Sequence, residues 1–185
     1  MVFDKPGQYV VYFHNVSGEI SFNINAERVN LNIFGLYSGT KKQVFTLKTH
    51  QFHNAGNSFS QLLVKSVMND ESSFNYDGLI RIEKQAAKTH AYQKNMNILL
   101  SEKAKVVSRP HLEILTNDVF CTHGSTTGQL DTKIIYYLQT RGYNLEEAKK
   151  IMTQGFINDI FQKIKKLEPN YNISELMKDL DKNIC

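Results

Sequence analysis

In the stretch Asp118-Val119-Phe120-Cys121-Thr122-His123-Gly124 a thiol and an imidazole stand two residues apart. Successive side chains of an extended strand point to opposite faces, so this spacing sends both groups to the same side. A thiolate and an imidazole so placed could share a soft metal such as iron, zinc or copper(I), and an imidazolium neighbour would favour the thiolate. Two ligands do not complete a site, and a partner would have to bring the others. The plainer account of the same residues is a small buried thiol and a hydrogen-bonded turn histidine. From Cys-x-His alone both accounts stand.

A second pair of imidazoles lies in Thr49-His50-Gln51-Phe52-His53. Their spacing of three suits one face of a helix better than a strand, and the segment is expected to be a solvated loop. Asp70-Glu71 reads as a solvated turn and Cys185 as a frayed end. Other chemistry finds no foothold. The sequence has no Walker pattern, no His-Glu-x-x-His, no Gly-x-Ser-x-Gly and no Cys-x-x-Cys, so nucleotide hydrolysis and the common hydrolase and zinc patterns are not expected.

The elements that must carry these groups fall into two regions. Up to about residue 130 the chain shows short alternating runs broken by Gly, Asn and Ser, which read as strands. These runs are Tyr9 to Phe13, Ile20 to Ile24, Val29 to Phe34, Gln43 to Thr49, Gly78 to Glu83, Asn97 to Leu100, Leu112 to Ile114 and Val119 to Cys121. Hairpin dipeptides are scarce, with only Asp77-Gly78 present, so tight antiparallel connections are not strongly encoded. A parallel solenoid, which turns at corners instead, remains open.

After Leu130 the period changes. Ile134, Ile135 and Leu138 share a helical face with Gly142 as the stop, and Asn144 with Glu147 opens a second helix by a capping box. Ala148, Ile151, Met152, Gly155, Phe156, Ile160 and Ile164 continue an apolar stripe, which could dock on the β body or on a partner. Pro169 ends that helix, and Asn172 with Glu175 announces a third, carrying Leu176, Met177 and Leu180. The division expected is a β body over 1–130 and a helical domain over 131–185.

Composition narrows the classes. The 185 residues are 41% hydrophobic and 22% charged, as in ordinary globular chains, which excludes collagen, coiled coil and disorder. The net charge is +4, and from Asp131 onward nine basic residues face eight acidic ones, so no basic tail is hidden and no nucleic-acid partner is expected. Two cysteines make no disulfide framework, which fits a reducing compartment. No apolar run is long enough to span a bilayer and the start carries no signal-peptide pattern, so no membrane association is expected.

From Gln85-Ala86-Ala87-Lys88-Thr89 through Leu99-Leu100-Ser101, Asp118-Val119-Phe120-Cys121-Thr122-His123-Gly124 and Tyr137-Leu138-Gln139-Thr140-Arg141-Gly142, ordered blocks resemble the SufB/SufD family of iron–sulfur cluster assembly proteins. Gly35-Leu36-Tyr37 and the stretch from Glu147-Ala148 to Gly155-Phe156 fit as well, and the likeness covers roughly residues 33 to 165. SufB-type chains carry Glu where this one has Gly124, which places the resemblance nearest the SufD type. Position 90 is His where the strip usually reads Asp, and Ser125 and Thr127 replace the usual Ala and Val.

The resemblance implies a mainly β fold, a right-handed parallel β-helix followed by a small C-terminal helical domain. The family's N-terminal helical region is missing, so a short β-helix is expected. The resemblance also implies a scaffold rather than an enzyme, with ATP hydrolysis left to a SufC-like ATPase carried on the C-terminal helices. A SufB-like subunit would pair through the β-helix, or two copies of this chain would pair with each other. Cys121 and His123 match residues near that interface, with His123 the better iron ligand. Ala148, Ile151, Met152, Gly155, Phe156 and Ile160 are the candidates for contact with the ATPase. No cofactor would be held stably by the chain alone, a transient iron–sulfur cluster forming only at the shared interface. A bacterial cytoplasm, or alternatively a plastid-type organelle, would be its setting. Two other expectations compete: an interaction protein that no longer assembles clusters, and a metal or carbohydrate enzyme using His50, His53 or Cys121 in a groove.

Overall fold

Every strand pairs in parallel with a strand one turn before or after it in the chain, and no pair is a hairpin among the described residues. The structure is a computed structural model that describes residues 1–170. Its strands are β1 (Val2–Phe3), β2 (Gly7–His14), β3 (Gly18–Ile24), β4 (Val29–Gly39), β5 (Val44–His53), β6 (Phe59–Met68), β7 (Ser73–Ile82), β8 (Thr89–Leu99), β9 (Lys105–Ile114) and β10 (Val119–Gln129). Two helices follow, α1 (Thr132–Thr140) and α2 (Leu145–Leu167). The expected third helix and Cys185 lie outside the described residues.

The strands form two sheets, ordered β1-β3-β5-β7-β9 and β10-β8-β6-β4-β2. Gly35 sits beside Val64, Val64 beside Asn95 and Asn95 beside Ser125, so one turn takes about 30 residues. The fold is a parallel β-solenoid of about four turns with 53% of the described residues in strands, followed by the helices.

Corners replace hairpins. Six non-glycine residues adopt positive φ between consecutive strands: Asn15, Arg28, Lys41, Asn57, Asp70 and Lys88. Asn and Asp, which visit this region most readily, hold three of these places. The corners stack, with the Arg28 amide donating to the Asn57 carbonyl at 3.1 Å and the Asn57 amide to that of Ala87 at 2.9 Å. A single left-handed residue turns the chain without an Asn-Gly or Asp-Gly pair, which is why those pairs are scarce here.

The strands are longer than the alternating runs suggest, and β6 follows no such run. Leu62-Leu63-Val64 and Val67-Met68 are consecutive apolar residues because both faces of β6 are covered, one by the solenoid interior and the other by α2. His50 and His53 lie on β5, not in a loop. Strand alternation puts them on opposite faces, His50 outward beside Glu19 at 3.2 Å and His53 fully buried. Asp70-Glu71 does form an exposed turn.

The interior is packed with aromatic rings. Tyr37 and Phe74 stack at 4.4 Å, and Phe45 meets Tyr37 edge-on at 5.7 Å. His53 is one of the polar residues of the interior, with Nδ1 2.9 Å from Ser58 Oγ and Nε2 2.7 Å from Ser60 Oγ. Burial lowers its pKa from 6.5 to about 4. Between those values the unfolded chain binds a proton that the folded chain refuses. The stability this neutral ring preserves is therefore complete above pH 6.5, is lost as pH falls, and stops changing below about 4. The loss amounts to about 3 kcal/mol. Urea midpoints followed across that window are expected to fall more steeply for the wild type than for His53→Leu; equal slopes would remove His53 as the cause.

The helices begin where polar caps allow. The Asp131 side chain accepts from the Lys133 amide at 2.8 Å to start α1, and Gly142 at φ +96° lets the chain leave it. Asn144 and Glu147 form the reciprocal capping box of α2, at 2.9 and 2.8 Å. Ile157, Ile160, Phe161 and Ile164 of α2 pack on Phe34, Leu36, Leu63 and Val67 of the β10-β8-β6-β4-β2 sheet. The Lys65 ammonium, buried beneath the helix, donates to Asp159 Oδ2 and to the Phe156 carbonyl, both at 2.7 Å. It also lies 4.4 Å from the centre of the Phe156 ring. Burial lowers the Lys65 pKa, against the raising effect of Asp159.

Candidate functional site

The last turn of the solenoid carries Cys121 and His123 on β10, and its register shows where they point. Cys121 lies beside Ala91, His123 beside Gln93, Ser125 beside Asn95 and Thr127 beside Asn97 on β8. All four β8 residues are buried in the interior. The β10 partners therefore continue the inner row, but among the described residues no further strand covers them, and His123, Ser125 and Thr127 are exposed. The two-residue spacing does bring thiol and imidazole to one face, and that face is the open end of the solenoid.

Polar side chains fasten this end. The Asn97 amide donates to Asn95 Oδ1 at 2.7 Å, to the Thr126 carbonyl at 3.1 Å and to Thr127 Oγ1 at 3.1 Å, while accepting from Ser66 Oγ at 2.7 Å. One amide thus ties three turns together and holds β10 in register below the pair. A groove of ≈ 450 Å³ passes beside this strand on the outer face of the sheet, where Phe59, Gln61, Tyr92, Lys94 and Thr122 line it.

The thiol is not activated. Cys121 is half-buried against Ile80, Ile82, Ala86, Ala91, Leu112 and Val119, and burial pushes its pKa up to about 11. The expectation that an adjacent imidazolium favours the thiolate is corrected here, because the apolar packing of the sulfur disfavours charge. At neutral pH Cys121 is a thiol, and it would yield a ligand only when a metal displaces its proton. No group of three or more His, Cys, Asp or Glu side chains converges among the described residues, so the pair stands as two donors.

His50 and His53 are not brought together with each other or with Cys121, which leaves the groove enzyme without its constellation. The apolar stripe of α2 divides in two. Ala148, Ile151, Met152 and Gly155 share one side, whereas Ile160 belongs about half a turn round, with Thr153, Ile157 and Ile164. Ala148 and Ile160 are buried and so offer no surface to a partner in this chain, while Phe156 is half-buried with the Lys65 ammonium against its ring. Ile151 and Gly155 are exposed and Met152 half-exposed. On α1 no residue is buried, and Ile134, Tyr136 and Tyr137 face solvent. No helix among the described residues is long and apolar enough to cross a membrane.

The inner row under the pair, Gln93 above all, is not singled out by sequence reasoning. Polar residues at every second position look like an outward face until the coil length is known. The 30-residue stacking of Leu62, Gln93 and His123 is the signal that reveals it.

Known proteins are similar to this chain in sequence. Residues 12–156 match the family described as SUF system FeS cluster assembly, SufBD core domain. The iron-sulfur cluster assembly protein SufD of Escherichia coli is 32% identical over 152 residues, 82% of this chain and 35% of that protein. SufD of Bacillus subtilis is 31% identical over 148 residues, 76% of this chain and 34% of that protein. The chloroplastic protein ABCI7 of Arabidopsis thaliana is 32% identical over 100 residues, 54% of this chain and 20% of that protein. The chain thus spans about a third of the length of the two bacterial relatives.

Proposed function

This chain belongs to the SufB/SufD family of iron–sulfur cluster assembly proteins, of the SufD type, and we propose that it serves there as a scaffold subunit without catalysis of its own. The cluster is its cargo. A SufB-like subunit pairs with the open end of the solenoid, and a SufC-like ATPase, which hydrolyses the ATP, docks on the helices. The reading is carried by one observation: the inner row of the last turn presents Cys121 and His123 with no strand among the described residues to cover them.

A neutral imidazole is the donor that needs no deprotonation, so His123 is the first iron ligand and Cys121 joins once iron displaces its proton. Thiolate and carboxylate groups from the other subunit complete the set. The exposed side of α2 around Ile151, Met152 and Gly155 is the face offered to the ATPase. The setting is a bacterial cytoplasm or a plastid-type organelle, the latter supported by the chloroplastic Arabidopsis relative.

The raised pKa of Cys121 favours a second reading, an interaction subunit of the same assembly that never touches iron. Co-expression of the tagged chain with a SufB-like and a SufC-like protein from the same source, followed by affinity capture under reducing conditions, tests both. Recovery of both partners is expected, with cluster absorbance after iron and sulfide are supplied. The same complex without absorbance supports the second reading. A folded monomer or homodimer that captures neither partner overturns both.

A further inference from the structure

Gln93 lies on β8 with its side chain inside the solenoid, 2% exposed. Its amide nitrogen donates to the Gly78 carbonyl at 3.1 Å, and a carbonyl only accepts, so the amide can be oriented one way. Gly78 makes the approach possible, since a Cβ there would lie 2.5 Å from that nitrogen. The Gln93 oxygen is buried and has no hydrogen-bond partner. A buried acceptor left unmet is costly and calls for a donor. Of its in-register neighbours on the adjoining strands, Leu62 has none to give. The other is His123, which carries a ring N–H and continues the same inner row.

We infer that Gln93 is the positioning residue for His123: its amide oxygen accepts one imidazole N–H and so leaves the other ring nitrogen unprotonated and aimed out of the open end. A histidine that ligates a metal usually spends its second nitrogen on such an acceptor, which fixes tautomer and ring orientation. The inference rests on the reading of His123 as an iron ligand, but its geometry belongs to the metal-free chain.

Long-range ¹H–¹⁵N correlation spectra of the full-length, metal-free chain, recorded where imidazole is neutral, report the tautomer of each histidine. In the wild type His123 is expected as one tautomer. Gln93→Met, close in shape but without the acceptor, is expected to return His123 to the mixture of a free imidazole, with the other histidines unchanged. Gln93→Glu, which keeps an acceptor, is expected to restore the single tautomer. A free-imidazole mixture for His123 in the wild type overturns the inference and needs no variant, so a Gln93→Met chain that fails to fold does not protect it. One tautomer that persists in a folded Gln93→Met chain overturns it too. A locked tautomer in a complex that never takes up iron leaves the inference intact and removes the ligand role; iron uptake with a free tautomer does the reverse.

Discussion

His123→Ala is expected to cut cluster formation by the reconstituted assembly roughly tenfold or more, with the complex still formed and the chain still folded. Even groups outside a ligand set cost roughly 10–100-fold when removed, and a ligand costs no less. Folding is expected to survive because His123 is exposed on the uncovered last turn, and the register of β10 is held elsewhere, by Asn97. The measurement is cluster absorbance and bound iron in the purified complex, wild type beside variant, with subunit stoichiometry as control. Unchanged absorbance would strike His123 from the ligands. Loss of the partner subunit along with the cluster would make the residue a structural contact instead.

The second large effect is on stability. Tyr37→Ala is expected to lower the free energy of unfolding by about 3–5 kcal/mol, the usual cost of emptying a large aromatic site in a core. Tyr37 is fully buried and stacks on Phe74 at 4.4 Å, with Phe13 edge-on at 6.4 Å. Its hydroxyl donates to the Val16 carbonyl, so truncation also strands a polar group at the corner after β2. Burial raises the pKa of that hydroxyl, and it remains a donor across the working pH range. Urea denaturation followed by far-ultraviolet circular dichroism gives the change directly. A loss below about 1 kcal/mol would mean that the interior relaxes around the gap and that the aromatic stack is not what holds adjacent turns together.

Both effects depend on the same register, and the sequence discloses its parts unequally. The capping box at Asn144 and Glu147 and the stop at Gly142 are readable because caps are local: the partners are three residues apart or the backbone angle belongs to one residue. The face shared by Cys121 and His123 is readable for the same reason, since alternation along a strand needs no neighbour. The ordered blocks from Gln85 to Gly142 identify the family, because several motifs rarely fall in one order by chance.

Long-range packing is what the sequence leaves undecided. β6 escapes the alternation rule because α2, some ninety residues later, covers its outer face. His50 and His53 look like a solvated loop until β3 and β7 pair with β5 on either side and alternation puts the two imidazoles on opposite faces. The α2 stripe reads as one surface, yet the sheet takes the side bearing Ile157, Ile160 and Ile164 and leaves Ile151 and Gly155 to solvent. The state of Cys121 depends on Ile80, Ile82 and Leu112, brought to the sulfur only by the coiling of the solenoid, and their apolar surroundings keep it a thiol. By itself, then, the sequence determined the family, the change from strands to helices and the common face of the candidate pair. Only the tertiary structure decided that this face is the uncovered end of the solenoid, with Gln93 beneath His123. Local geometry is written in neighbouring residues, whereas burial and charge state depend on residues about 30 positions apart that meet only when the turns stack.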